Sequence, residues 1–261
     1  MHHIMLDHFA NRSTAAHRLD PATKVVALLA VVLAVVLVTR DRFPPLLPPA
    51  AALAGYHAVS RTPLRFTLRR LAVVSPFAVV LVVLFPFLEP GEALWRWPVG
   101  GGEVVVTREG LVRAADLLAK FVLCTWAALL LLATTRFQDL LQGLARLRVP
   151  RVFVTQLAVL YRYLWVLMDE GMHMRMARAA RDGGLGPWRL RWRSRAGVVG
   201  VLFLRSWDRA ERIYRAMAAR GFDGTLHAPR QGRMRPADWA FAVCVLAGGV
   251  ALVLGDRVLY G

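Results

Sequence analysis

Residues 114–134 read Ala-Ala-Asp-Leu-Leu-Ala-Lys-Phe-Val-Leu-Cys-Thr-Trp-Ala-Ala-Leu-Leu-Leu-Leu-Ala-Thr, with Asp116 and Lys120 as the charged members. A helix of that length, rising about 1.5 Å per residue, covers the roughly 30 Å of a bilayer's hydrocarbon layer. Working outward, residues 22–39, 43–60, 71–88 and 237–255 have the same apolar character and near-spanning length. Pro44, Pro45, Pro48 and Pro49 crowd the start of the second, where a first helical turn lacks internal N–H partners anyway. Pro76 and Pro86 are expected to bend the third. The expected fold is an all-α integral membrane protein with about five transmembrane helices plus two long cytoplasmic amphipathic helices.

Charge orients these spans. The chain is 57% hydrophobic with mean hydropathy +0.45, yet its formal net charge is +17. A membrane protein with large basic loops combines these naturally, and a soluble domain rarely does. The basic residues are 32 arginines with Lys24 and Lys120, and arginine suits contacts that need an always-charged fork. Loop 61–70 holds Arg61, Arg65, Arg69 and Arg70 and no acid, whereas loop 89–113 sets Glu89, Glu92, Glu103 and Glu109 against Arg96, Arg108 and Arg113. From Arg136 to Arg235 there are 20 arginines and seven acids. The positive-inside rule therefore places 61–70, 136–235 and the N-terminus in the cytoplasm, and 89–113 and the C-terminus outside. Three regions follow: an N-terminal transmembrane domain over 1–135 with four spans, a cytoplasmic helical domain over 136–235, and a C-terminal transmembrane helix over 236–261. Residues 1–20 hold no apolar stretch of signal-peptide length. Cys124 and Cys244 fall inside spans, too few for a disulfide framework and without a zinc pattern, and read as inert thiols.

In the basic region, residues 152–182 read as one long helix or two joined ones, with Tyr161, Trp165, Met168, Met172 and Met176 recurring as an apolar stripe. Residues 197–221 repeat the plan with Phe203, Trp207, Ala210, Tyr214 and Met217, supported by Asp208–Arg212 and Glu211–Arg215 pairs. Between them, residues 188–195 alternate tryptophan or leucine with arginine, which suits a headgroup layer. These helices are too charged to span and too apolar to float free, so they pack as a pair under the membrane or partly in it. Each ends alike. Ala179-Ala180-Arg181-Asp182 runs into Gly183-Gly184, and Ala218-Ala219-Arg220 into Gly221, glycine being the residue that stops a helix in a left-handed conformation. Paired alanines leave a thin tip that another protein can approach closely. A lone arginine in a last turn is an ordinary partner of the helix dipole; two copies of stripe, tip and glycine stop point to a shared partner surface, and a basic tip asks for an acidic partner.

The same chain carries Leu6-Asp7-His8-Phe9-Ala10, Leu19-Asp20-Pro21-Ala22-Thr23-Lys24, Arg108-Glu109-Gly110-Leu111, Thr134-Thr135-Arg136-Phe137, Leu147-Arg148-Val149-Pro150 and Tyr161-Arg162-Tyr163. Asp20 can cap the first span and Pro21 suits its first position. With the two tips, these segments make nearly the whole chain resemble the transmembrane T component of energy-coupling-factor transporters, in particular the CbiQ-like branch of cobalt uptake systems. The resemblance implies a non-catalytic subunit of a bacterial inner (cytoplasmic) membrane importer. It would join a substrate-capturing membrane subunit (CbiM-like) to two ABC-type ATPase subunits (CbiO-like), serving cobalt uptake for cobalamin biosynthesis, with nickel and vitamin systems as the alternatives. It further implies that Ala180, Arg181 and Asp182, and Ala219, Arg220 and Gly221, are docking motifs at the ends of two coupling helices. Each tip would enter a groove on one ATPase and pair with acids there. Asp182 departs from the family's glycine, and a local pair with Arg178 would weaken the first tip's positive field. Closure of the ATPase dimer would push the tips together, and the striped helices would pass that displacement to the capturing subunit.

Other chemistries fit less well. His2, His3 and His8 with Met1 and Met5 could suggest a metal cluster, but adjacent histidines do not both orient well on one ion, and a loose cytoplasmic N-terminus accounts for them. Met168, Met172, Met174 and Met176 suit adaptable packing in a moving interface better than soft-metal ligation. His17, His57, His173 and His227 have no ligand-spaced partners, and neither a Walker lysine motif nor Gly-x-Ser-x-Gly nor His-Glu-x-x-His occurs. ATP hydrolysis therefore belongs to a partner, and no cofactor is implied. A membrane transferase acting on a phosphorylated lipid would want clustered carboxylates for Mg²⁺, whereas the acids between Asp139 and Asp223 are mostly placed to pair with arginines. Nucleic-acid binding is permitted by net charge alone, but topology already explains the basic region.

Overall fold

The computed structural model describes residues 14–38, 43–99, 102–182, 187–224 and 235–260. In chain order the elements are α1 (Ala15–Arg18), α2 (Pro21–Leu37), a 3-10 turn (Pro44–Leu46), α3 (Leu47–Ser60), α4 (Leu64–Leu88), β1 (Ala93–Val99), β2 (Gly102–Thr107), α5 (Arg108–Thr134), α6 (Phe137–Arg146), α7 (Arg151–Asp182), α8 (Trp188–Ala219) and α9 (Pro236–Tyr260). They form two compact units, one of Met1–Gly143 with Gly232–Gly261 and one of Leu144–Gln231.

In the first unit the helix starts follow the residues that favour them. Asp20 accepts a hydrogen bond from the Ala22 N–H at 2.9 Å and Pro21 fills the first helical position of α2. The prolines ahead of α3 are spent on the 3-10 turn and the first α-turn, which leaves α3 only 14 residues, about 21 Å of helix and short of a full crossing. Arg61 closes α3 in the left-handed region with φ 50°. The third span begins earlier than expected: α4 starts at Leu64, so Arg65, Arg69 and Arg70 sit on its first turns rather than in a loop. As expected, it bends, by 50° between Leu64–Pro76 and Ala78–Leu88, where Pro76 withholds an N–H from the ladder. Residues 89–107, expected as loop, hold an antiparallel hairpin of β1 and β2. Thr107 ends it and caps α5 by accepting from the Gly110 N–H at 3.2 Å.

Val35 and Val38 of α2 and its cap, Leu46 and Leu53 around α3, and Leu123, Ala127 and Leu130 of α5 make one core cluster. Helix α9 lies close to α2, since a Cβ built on Gly249 would sit 3.4 Å from the Ala34 Cβ. The two lysines of this arginine-rich chain occupy matched positions in this unit. Lys24 on α2 donates to the carbonyl of Thr134, the last residue of α5, at 3.0 Å and to the His17 carbonyl at 3.2 Å. Lys120 on α5 donates to the carbonyl of Val38, the C-cap of α2, at 3.2 Å, and pairs with Asp116 at 2.9 Å. Final helix carbonyls lack intrahelical partners and sit at the negative end of the dipole. Each lysine therefore fastens its own helix to the end of the other. A compact ammonium fits between carbonyls where a planar guanidinium fork does not.

These contacts also sort the ends of the unit. Lys24 brings the start of α2 to the end of α5, and the Asp20 N–H donates to Asp238 of α9 at 2.9 Å. The chain thus leaves the unit past Gly143 of α6, which packs at the start of α2, and α9 begins at that same end. The α4–α5 junction, with Arg113 paired to Glu89 at 2.7 Å, lies at the other end with the hairpin. The arginine-bearing start of α4 lies at the first end, and Glu89, Glu92 and Glu109 lie at the second.

Among the described residues, Arg108–Thr134, Arg151–Arg181 and Pro236–Val258 are long and apolar enough to cross a membrane, and the bent α4 makes a fourth span; Pro21–Leu37 is a shorter apolar helix. The chain is an all-α membrane protein, with the β1–β2 hairpin as the one sheet among the described residues. The appearance of α7 in that set differs from the expectation that neither long helix of the basic region can span. Its charges are unevenly placed: from Val152 to Met168 only Arg162 is charged, and Arg175, Arg178, Arg181 and Asp182 gather in its last two turns.

Candidate functional site

The second unit is built on α7 and α8, each 32 residues long. The stretch 188–195 is not a connector but the first two turns of α8, where Trp188 and Trp192 meet edge to face at 5.8 Å and Arg195 stacks over Trp192 at 5.5 Å. The two helices run antiparallel and touch near their middles. A Cβ on Gly171 would lie 3.6 Å from Leu202 Cδ2. Glu170 accepts from Arg205 at 2.5 Å and lies 3.9 Å from Arg209. On one side of this contact a groove of about 580 Å³ is walled by residues including Val159, Tyr163, Leu167, Trp207, Tyr214 and Met217. On the other side a second, of about 520 Å³, is lined by residues including His173, Arg178, Arg181, Ser194 and Arg205.

Antiparallel order sends the two tips to opposite ends of the pair. With about 1.5 Å of rise per residue, Arg181 stands about 15 Å along α7 from Gly171, and Arg220 about 27 Å along α8 from Leu202. Ala179, Ala180 and Arg181 are exposed, as are Ala218, Ala219 and Arg220. The α8 tip is closed by a Schellman arrangement: the Gly221 N–H donates to Ala218 O and the Phe222 N–H to Met217 O, both at 3.0 Å. Gly221 takes φ 78°, which glycine adopts without strain, and Arg220 is the first residue to leave the helix. Helix α7 ends at Asp182. The Asp182 side chain and Gly183-Gly184 lie outside the described residues, so the expected glycine stop and Asp182–Arg178 pair are not seen.

Residues 12–231 match the family model described as CbiQ, cobalt transport protein. The chain belongs to this family. The cobalt transport protein CbiQ of Rhodobacter capsulatus is 32% identical over 224 residues, which cover 85% of this chain and 84% of that protein. The energy-coupling factor transporter transmembrane protein EcfT of Thermanaerovibrio acidaminovorans is 31% identical over 255 residues, covering 94% of this chain and 91% of its own length. A protein of Methanocorpusculum labreanum bearing the name of a fused cobalt transport protein, CbiMQ, is 28% identical over 200 residues, covering 71% of this chain and 33% of its own length. This member of the CbiQ family is thus a transmembrane transporter component of the energy-coupling-factor type.

Set on this CbiQ-family framework, the sequence-derived stripes fare unequally. Trp207, Ala210, Tyr214 and Met217 of α8 do line the groove shared with α7, although Phe203 stands exposed outside it. On α7 the groove is lined instead by Gln156, Val159, Leu160, Tyr163 and Leu167. Tyr161, Trp165, Met168, Met172 and Met176 lie about two positions away, hence on nearly the opposite face. The upper part of α7 is apolar around most of its circumference, so periodicity alone does not choose which face meets α8. Sequence reasoning also missed Glu170 as the polar contact between the helices and Gly143 as the seat of α6. A Cβ on Gly143 would come within 2.9 Å of the Ala22 N and 3.0 Å of the Pro21 carbonyl carbon. Of the expected helical pairs, Glu211–Arg215 forms. His2, His3, His8, the Leu6–Ala10 segment and His227 lie outside the described residues. No group of three or more His, Cys, Asp or Glu suited to a metal occurs among the described residues.

Proposed function

We propose that this chain is the non-catalytic coupling subunit of an energy-coupling-factor importer for cobalt ion in a bacterial inner membrane. Residues 136–235 and the N-terminus face the cytoplasm, and residues 1–135 and 236–261 make up the membrane part. The tips Ala180-Arg181-Asp182 and Ala219-Arg220-Gly221 dock one ABC-type ATPase subunit each. A substrate-capturing membrane subunit completes the complex.

The observation that carries this reading is the antiparallel pair α7–α8, with an exposed Ala-Ala-Arg tip at each opposite end. Tips so far apart serve two ATPases at once, whereas a parallel pair would offer both to one. The thin alanine end lets a groove close on backbone, and the arginine gives its acids a fixed, bidentate partner. The orientation is supported by the arginines at the start of α4 at one end of the first unit and the acids beside the hairpin at the other. Cobalt as substrate is supported by the names of the family and of the Rhodobacter capsulatus relative. The fused protein of Methanocorpusculum labreanum joins a CbiM-type to a CbiQ-type name in one chain, which supports a CbiM-like capturing partner.

When the ATPase dimer closes on ATP, the docked tips are drawn together about the Gly171–Leu202 contact. Glu170 can exchange between Arg205 and Arg209, one turn apart, as the helices slide. Such motion does work only if the capturing subunit contacts the two states differently. Arg220→Glu is expected to release one ATPase on co-purification and to stop cobalt uptake, while the melting temperature of the isolated chain stays unchanged. Normal co-purification and uptake in that variant would remove the docking assignment.

A further inference from the structure

We propose that the β1–β2 hairpin is a lipid anchor, with Leu94 and Trp95 seated in the headgroup layer at the end of the spans opposite the basic helix starts. The occupant is the bilayer surface. The proposal rests on the membrane spans alone and is independent of the coupling function.

Position comes first. Only residues 89–92 separate the end of α4 from β1, and Thr107 both ends β2 and caps α5. Both roots of the hairpin are therefore span ends, and it has no slack with which to leave the interface. Next, the base is stiff. Thr107 Oγ1 donates to Glu89 O at 2.9 Å, Glu92 N–H donates to Glu109 Oε2 at 2.8 Å, and Arg113 pairs with Glu89 at 2.7 Å. Glu89 and Glu109 are thus engaged within the base, which lowers the cost of holding acids beside a membrane.

The register then aims the apolar residues. Ala93 pairs with Thr107 and Trp95 with Val106, so Leu94 is an extra residue in β1. Such a bulge re-aims side chains at the edge of a sheet. Leu94 is 58% exposed and Trp95 67%, which leaves two large apolar groups on a two-stranded sheet that is marginal in water by itself. Tryptophan, with an apolar body and one N–H, is the side chain that the membrane–water boundary accommodates best. Contact with lipid supplies the burial that the hairpin lacks.

The test uses the full chain with Cys124→Ala and Cys244→Ala, and Leu94→Cys carrying an environment-sensitive NBD dye with Trp95 retained. It is reconstituted in vesicles of phosphatidylcholine and phosphatidylglycerol. The expected result is blue-shifted emission, quenched more strongly by a headgroup nitroxide lipid than by aqueous iodide. Adding Trp95→Ser should shift emission to the red and restore iodide quenching. The same dye on Leu84→Cys of α4 should report hydrocarbon depth in every preparation, which verifies insertion. Iodide quenching at position 94 as strong as for free dye, with the α4 probe correctly buried, overturns the proposal. A lipid-like signal that arises only when a partner membrane subunit is co-reconstituted overturns it too, since the occupant would then be protein.

Discussion

The two units use the same residue types for opposite ends. In the first, Val35, Leu130, Thr134, Asp116 and Ser60 are almost wholly enclosed, and some of its polar groups are answered across helices, Lys24 by the Thr134 carbonyl and Tyr56 by Thr134 Oγ1. In the second, α8 has no buried residue, and Trp207, Tyr214 and Phe203 remain largely exposed. Hydrophobic burial and satisfied polar contacts hold one unit together from within. The other keeps its apolar and basic surface available, as the docking role proposed above requires. Stability and coupling should therefore be separable by mutation.

The sharpest way to break that contrast is Lys120→Met. It leaves Asp116, already with one buried oxygen lacking a hydrogen bond, without its cation, and loss of one partner of a buried pair costs about 3–5 kcal/mol. A large fall in melting temperature of the detergent-solubilised chain is expected; an unchanged value would mean that the pair is hydrated and that the unit is held otherwise. Gly143→Leu comes next, because its side chain must displace the α2 backbone at Ala22, with an overpacking cost of about 1–3 kcal/mol. Limited proteolysis should then cut near α6 sooner. Gly221→Ala forces an L-residue to φ 78°, at about 1–2 kcal/mol locally. It should loosen the α8 tip and weaken ATPase co-purification while leaving thermal unfolding of the first unit unchanged. Glu170→Ala should be mildest for stability, at most about 1 kcal/mol for a largely solvent-screened pair. If the pair guides sliding of α7 on α8, uptake will fall more than stability does.

Much of the membrane part was legible because the signal there is one-dimensional. A long run with few charges can only be a span, so α5 and α9 emerge from residues 114–134 and 237–255 without further information. Asp20-Pro21 announces the start of α2 for an equally local reason, since cap and first-turn proline act within a few residues. The hairpin was not foreseen, although in the sequence Gly100-Gly101-Gly102 separates two β-prone runs, Leu94–Val99 and Glu103–Val106; charge alone marks the whole segment as loop. The tips were legible as residues. Their opposite placement was not, because it depends on how α7 meets α8.

By itself, then, the sequence determined the membrane class, the basic and acidic ends, the long helices and the Ala-Ala-Arg endings. Each of these depends on composition or on neighbours within a turn or two. Tertiary structure alone decided which face of α7 meets α8, that Glu170 joins them, that Leu94 bulges from β1, and that two lysines among 32 arginines lock α2 and α5 end to end. The physical reason is common to all four. A nearly uniform apolar helix offers many equivalent faces, and a buried ammonium or an added strand residue takes its meaning from a group far away in sequence.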